Sequence, residues 1–272
     1  MTGAHPIPRH RAYRLLIRAA LRAQLQYRGN LLLTFVGGVA YQGVGLAFVS
    51  VVVTRFGAIG GWSLSQIAFL YGMRVTAHSL WMIPASELSW LDLTIRTGEF
   101  DRYLIRPAGP LLQLLSRRVY LSTFGDLVTG VVILAVAAAR ARIDLAPGPL
   151  VFLVLAVVGG AMVEGAFQLA VASLSFRLLS NVSLRLLIAG VINNFGGYPV
   201  KIFPGVTRIL LTFVLPVAFV AYFPATVLLG RAAEVHVASW LLWASPLVGP
   251  VLLFLAYLVW RTQIQHYEST GS

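Results

Sequence analysis

Residues 30–54, NLLLTFVGGVAYQGVGLAFVSVVVT, contain no charged side chain. At 1.5 Å per residue, a helix of this length exceeds the roughly 30 Å of a bilayer's hydrocarbon core. The stretch follows a long basic leader and is longer than the apolar core of a cleavable signal peptide, so it reads as a retained membrane span. Its reading decides the fold, because much of the chain repeats its character. The 272 residues are 58% hydrophobic and 11% charged, against about 25% charged in a soluble domain. For most of the chain the solvent is lipid.

Outward toward the N-terminus, residues 1–29 form a basic leader with Arg9, Arg11, Arg14, Arg18, Arg22 and Arg28. Arg11, Arg14, Arg18 and Arg22 fall on one helical face, with Tyr13, Leu16, Ala20 and Ala23 roughly opposite. Leu15, Leu21 and Leu25 blur the stripe. The leader reads as an amphipathic helix in the membrane interface, and equally as a basic segment that sets topology.

Outward toward the C-terminus, further apolar runs cover 64–83, 119–139, 149–176, 183–199 and 238–260. Arg74 and His78 interrupt the second. Two paths fit 183–230, which Gly196, Gly197, Pro199, Pro204, Pro216 and Pro224 break. One is a span ending near Tyr198 with a re-entrant hairpin over 204–230. The other is a surface helix at 183–198 and a span at 205–229. Either gives one net crossing, and broken backbone at membrane depth requires cover from protein or a water-filled cavity. The expected fold is an all-α integral membrane protein: a single six-span domain over 30–262, with a short tail at 263–272. With both ends on one side, about fourteen basic residues lie there against six opposite. The positive-inside rule makes that side cytoplasmic.

The net charge of +12 does not indicate nucleic acid, because the arginines lie between apolar runs and form no continuous basic face. Cysteine is absent, which excludes thiol chemistry. Neither G-x-x-x-x-G-K-[ST] nor G-x-S-x-G occurs, and the only lysine is Lys201, so ATP is not bound through a P-loop here. The histidines show no metal-ligand spacing. Ionisable groups within the spans are Arg74, His78, Asp126 and Glu164. Arg74 and His78, four apart, share a helix face. Such groups face a bundle interior. They are either a polar patch on a substrate path or an Arg74–Glu164 or Arg74–Asp126 pair that orients helices. Gly159, Gly160, Ala161 and Gly165 permit close helix packing in the fourth span.

The charged segment between spans two and three has its own pattern. ASELSWLDLTIR, residues 85–96, places Leu88, Leu91 and Ile95 at helical spacing. Gly98 can end that helix, and EFDRYLIRP follows at 99–107. Mixed charges among aromatic side chains suit a protein–protein contact. A solvated loop with weak local ion pairs is the plainer reading.

On the basic leader, the six spans, GEFDRYLIRP after span two and NNFGGYPVKIFPG…LPVAFVAYFPATVLLGR at 193–231, the chain resembles the permease subunits of type-2 ATP-binding-cassette exporters, the ABC-2 family, and a bacterial branch of it. The resemblance implies an interfacial helix in the leader and a cytoplasmic coupling helix between spans two and three that docks on a separate ATPase. The docking residues would be Glu87, Asp92, Arg96, Glu99, Asp101, Arg102 and Arg106. It further implies short re-entrant helices between spans five and six, a second permease subunit, and ATP with Mg²⁺ on the partner ATPase and no cofactor on this chain. The implied location is the bacterial inner membrane, and the cargo would be hydrophobic or amphiphilic. A stand-alone carrier or channel, or an intramembrane enzyme, is the alternative. The former would need polar linings in several spans or an inverted repeat, and the latter a convergent catalytic set.

Overall fold

The computed structural model describes residues 28–106, 108–117, 120, 123–178, 180–235 and 237–267. The amphipathic leader helix expected over 1–29 lies almost entirely outside them, as do Pro107, Arg118, His236 and the end of the tail. Among the described residues the chain is helical, with one isolated bridge between Ile59 and Trp62. The helices are α1 (Arg28–Phe56), α2 (Leu64–Ala85), α3 (Leu91–Arg96), α4 (Asp101–Leu104), α5 (Pro110–Arg117), α6 (Thr123–Arg140), α7 (Pro147–Ser173), α8 (Val182–Phe195), α9 (Gly205–Ile209), α10 (Tyr222–Leu228), α11 (Ser239–Trp243) and α12 (Ser245–Gln263).

Among the described residues four helices are long and apolar enough to cross a membrane: Leu31–Arg55, Thr123–Arg140, Pro147–Phe176 and Ser245–His266. A fifth arises if the bent pair Gly205–Val214 and Val217–Leu228 counts as one. α2 is long enough at 22 residues but carries more polar side chains. It sits among α1, α6 and α7, so Arg74, Thr76 and Ser79 are buried against protein and not lipid. α2 starts at a capping box: the Ser63 hydroxyl accepts from the Gln66 backbone and the Gln66 side chain accepts from Ser63 N–H. α8 has 14 residues, about 21 Å by helix rise, which is short of a full crossing.

α7 and α12 pack against each other along much of their length. Their contact is nearly backbone to backbone, because a side chain on Gly249 would strike Gly159. That gives the small residues of the fourth apolar run a physical role.

The bent pair turns by 70° at Leu215–Pro216, after a single π-helical stretch over Leu210–Val214. Its arms differ. Val206 and Phe213 in the first are 74% and 66% exposed, whereas Ala218, Val220, Ala221 and Ala225 in the second are fully enclosed. The second arm thus belongs to the core, beside α7 and α12.

Candidate functional site

Polar side chains gather at three levels of the bundle. At one end is the segment between α2 and α6. A 3-10 turn over Ser86–Trp90 runs into α3, and Gly98, at φ +70°, closes it with N–H donation to Ile95 O. The left-handed conformation favours glycine there. Leu88, Leu91 and Ile95 face inward, as their spacing predicts, at 3%, 0% and 9% exposure.

The charged candidates of this segment separate by burial. Glu87 and Asp92 are buried. Glu87 lies 3.6 Å from the Arg117 guanidinium and accepts from the Tyr120 hydroxyl at 3.3 Å. Asp92 pairs with Arg96 one turn on, at 3.4 Å. Glu99 binds Arg117 at 3.0 Å, and Asp101 accepts from the Tyr267 hydroxyl at 2.7 Å. Arg96, Glu99, Arg102 and Arg106 are exposed. Beside them stand apolar residues absent from the sequence-based set: Trp90, Leu93, Leu104 and Ile105 are all exposed. Their signal is in the sequence. Trp90, Leu93 and Thr97 recur at spacings of three and four, out of phase with the buried stripe. Trp90, Leu93, Thr97, Glu99 and Arg117 line a groove of about 330 Å³.

Phe100 fixes this segment to the bundle. Its ring is fully enclosed, 5.1 Å from Phe176 after α7 and 4.9 Å from Tyr267 after α12. Phe176 in turn meets Trp260 of α12 at 5.1 Å. Such edge-on contacts add about 0.5–1.5 kcal/mol each beyond area burial. Burial, then the bond to Asp101, pushes the Tyr267 phenol up to about 12. Burial also raises the Tyr103 phenol, against the opposing charge of Arg117.

At mid-depth, the polar residues of the spans divide into two groups. His78 Nδ1 and Glu164 Oε2 are 2.6 Å apart. Arg74, expected to pair with Glu164 or Asp126, instead donates from Nη1 to Asn193 Oδ1 of α8 at 2.6 Å. The reason is position: α8 lies over that face of α2, and His78 takes the carboxylate. Asp126 sits in the first turn of α6, nearer its end than the apolar run suggests. A carboxylate there is favoured by the helix dipole. Its Oδ1 accepts from Gln42 Nε2 at 2.8 Å, and Gln42 Oε1 accepts from the Tyr71 hydroxyl at 2.8 Å. This second group ties α1, α2 and α6 together. Gln42 is a buried polar residue inside the uncharged run, and sequence reading passed over it.

A cavity of about 40 Å³ opens between α2, α7 and α8, lined by His78, Glu164, Gln168, Arg185 and Asn193 on its polar side. Arg185 lies inside α8. Glu164 Oε1, Arg74 Nε and Arg185 Nε are buried and have no protein partner among the described residues.

At the other end of the bundle, Lys201 Nζ and Arg231 Nε both bind Glu234, at 2.5 and 2.6 Å. Arg231 also donates to Gly61 O and Gln66 Oε1 and lies 4.9 Å over Trp62. Burial would raise the Glu234 carboxyl, but hydrogen bonds from Lys201 and Arg231 more than offset it and leave it lowered. Because Lys201 precedes the bent pair and Arg231 follows it, both ends of that pair meet at one carboxylate. Among the described residues no group of three His, Asp or Glu side chains gathers to hold a metal ion.

Several long apolar helices that enclose an internal layer of polar residues mark a multi-pass membrane protein. The family model of the ABC-2 family transporter proteins matches residues 39–271, and the chain belongs to that family as an ABC-2 type permease. Comparison with curated proteins and with solved structures found no match.

Proposed function

We propose that this permease is the membrane half of an ATP-driven exporter, with ATP and Mg²⁺ held by a separate cytoplasmic ATPase that docks on the α2–α6 segment. The observation that carries this reading is the construction of that segment. Its inner face is locked to α7 and α12 through Phe100, and its outer face presents Trp90, Leu93, Arg96 and Arg102. Exposed aromatic and arginine side chains are the usual anchors of a protein interface. When the ATPases close on ATP, a braced segment moves as a body and takes α7 and α12 with it; a loose loop would absorb the motion.

In this reading α1, α2, α6, α7 and α12 each cross once. α8 with the turn to Lys201 makes the remaining crossing, and the bent pair is a re-entrant hairpin at the outer end. The shared Glu234 contact supports the hairpin, since it holds both feet at one level. Both termini then face the cytoplasm of a bacterial inner membrane. A second permease subunit, the same chain or a similar one, covers α8, whose one buried residue is Ile192. The cargo is hydrophobic or amphiphilic.

Co-purification with the ATPase tests this. Trp90→Ser with Leu93→Ser is expected to leave the subunit folded in the membrane and to abolish ATPase association and substrate-stimulated hydrolysis. Unchanged coupling would make the segment a bystander.

A further inference from the structure

Three charged side chains hold a buried polar atom without a protein partner among the described residues; two of them, Glu164 and Arg185, line one cavity, and the third, Arg74, stands behind it. Glu164 lines it from α7 at 2% exposure and keeps Oε1 unused. Arg185 lines it from α8 with Nε unused, and Arg74 backs Asn193, which lines it as well. No ion pair joins Glu164 to Arg185 among the described residues. One wall thus offers an acceptor of negative charge and the other a donor of positive charge. The rest of the lining is apolar: Phe167, Val171, Ile188, Ala189 and Ile192.

We propose that this cavity recognises the polar end of the cargo, and that this end is zwitterionic: an ammonium N–H for Glu164 and an anionic phosphate or carboxylate oxygen for Arg185. The proposal rests on the transport role given above and adds the chemical class of the cargo. Each unused atom on the protein is charged or part of a charged group. A ligand with matching opposite charges makes two charge-assisted bonds, about twice as strong as neutral ones. A purely cationic ligand leaves Arg185 unmet, and a purely anionic one meets the repulsion of Glu164. His78 holds Glu164 Oε2, so Oε1 is the oxygen left for the ligand. The apolar lining takes the first methylenes of the chain.

The test is equilibrium binding to the full chain in phosphatidylcholine nanodiscs, with three probes. Lysophosphatidylethanolamine carries ammonium and phosphate, lysophosphatidylglycerol phosphate alone, and dodecylamine ammonium alone. Expected is saturable binding of the first, about tenfold or more tighter than the other two, the scale of one charge-assisted contact. Glu164→Gln should weaken the ethanolamine probe about tenfold and strengthen the glycerol probe by relieving repulsion, while Arg185→Gln should weaken both. Ala189→Leu fills the cavity without touching either charge and should reproduce the loss, so the question stays answerable even where a charge variant fails to fold. Non-saturable partitioning, equal affinity for the three probes, or variants that bind like the parent would overturn the site. Because binding is read without the ATPase, selective binding with failed ATPase association would overturn the ATP-driven reading and leave the site standing.

Discussion

Glu87 and Glu164 are equally hidden, at 3% and 2% exposure, and their surroundings are opposite. Glu87, at the α2–α6 segment, faces Arg117 and Tyr120. Glu164, at mid-depth, is held by His78 through one oxygen and keeps the other unused. The same contrast holds for the arginines. Arg117 reaches two carboxylates, whereas Arg74 and Arg185 each retain an unmet Nε. A buried charge left unpaired is costly, so it persists where something outside the chain can use it. The segment is built to be stiff, and the cavity to be completed.

The comparison can be broken most readily at its stiff side. Phe100→Ala removes a fully enclosed ring and should destabilise the fold by about 3–5 kcal/mol; a melting curve in detergent or nanodiscs measures it. A loss below 1 kcal/mol would mean that the segment is not locked to α7 and α12. Glu87→Ala comes next, at about 1–3 kcal/mol, because it strands the Tyr120 hydroxyl and one side of Arg117. Glu164→Gln should cost less than about 1 kcal/mol despite equal burial, since the amide oxygen keeps a partner for His78 and the carboxylate oxygen that had no protein partner among the described residues is gone. If Glu164→Gln proves more damaging than Glu87→Ala, the two regions do not differ as described. The smallest effect belongs to the Lys201–Glu234–Arg231 cluster, which is partly exposed and screened. The lowered Glu234 carboxyl makes its contribution fully present above the ordinary value of 4.5. That contribution is lost as pH falls through the lower folded value. Hydrogen-exchange protection factors in the bent pair over 205–228, corrected for the intrinsic pH dependence of amide exchange, should therefore fall on acidification in the parent and stay constant over that range in Glu234→Gln.

Much of the fold is legible in the sequence because lipid imposes a length on every crossing. The uncharged run at 30–54 is a helix throughout, and Pro216 marks the bend of the broken pair over 205–228. The cap at Gly98 is equally legible, since few other residues take a left-handed φ. The polar residue Gln42 was passed over, although it stands in plain sight within the first span. Partner choice is a different matter. His78 and Glu164, or Arg74 and Asn193, are 86 and 119 residues apart, and which carboxylate or amide meets which base depends on helix rotation and on the placement of α8. No local pattern encodes that. The Phe100 contact with Phe176 and Tyr267 joins three separate segments and is hidden for the same reason. The count of crossings is clouded by α2, whose polar residues are compatible with the membrane only because neighbouring helices enclose them, and by α8, which is too short to be read as a span alone.

The chain has no cysteine, so a single one can be introduced without background. Leu93→Cys lies on the exposed face of the α2–α6 segment and Val206→Cys on the exposed arm of the bent pair. In the assembled transporter, a short bifunctional cross-linker is expected to join position 93 to the ATPase and to leave position 206 unjoined, with position 206 alone labelled from outside intact cells. Labelling of position 93 from outside, or cross-linking of position 206 to the ATPase, would contradict the account.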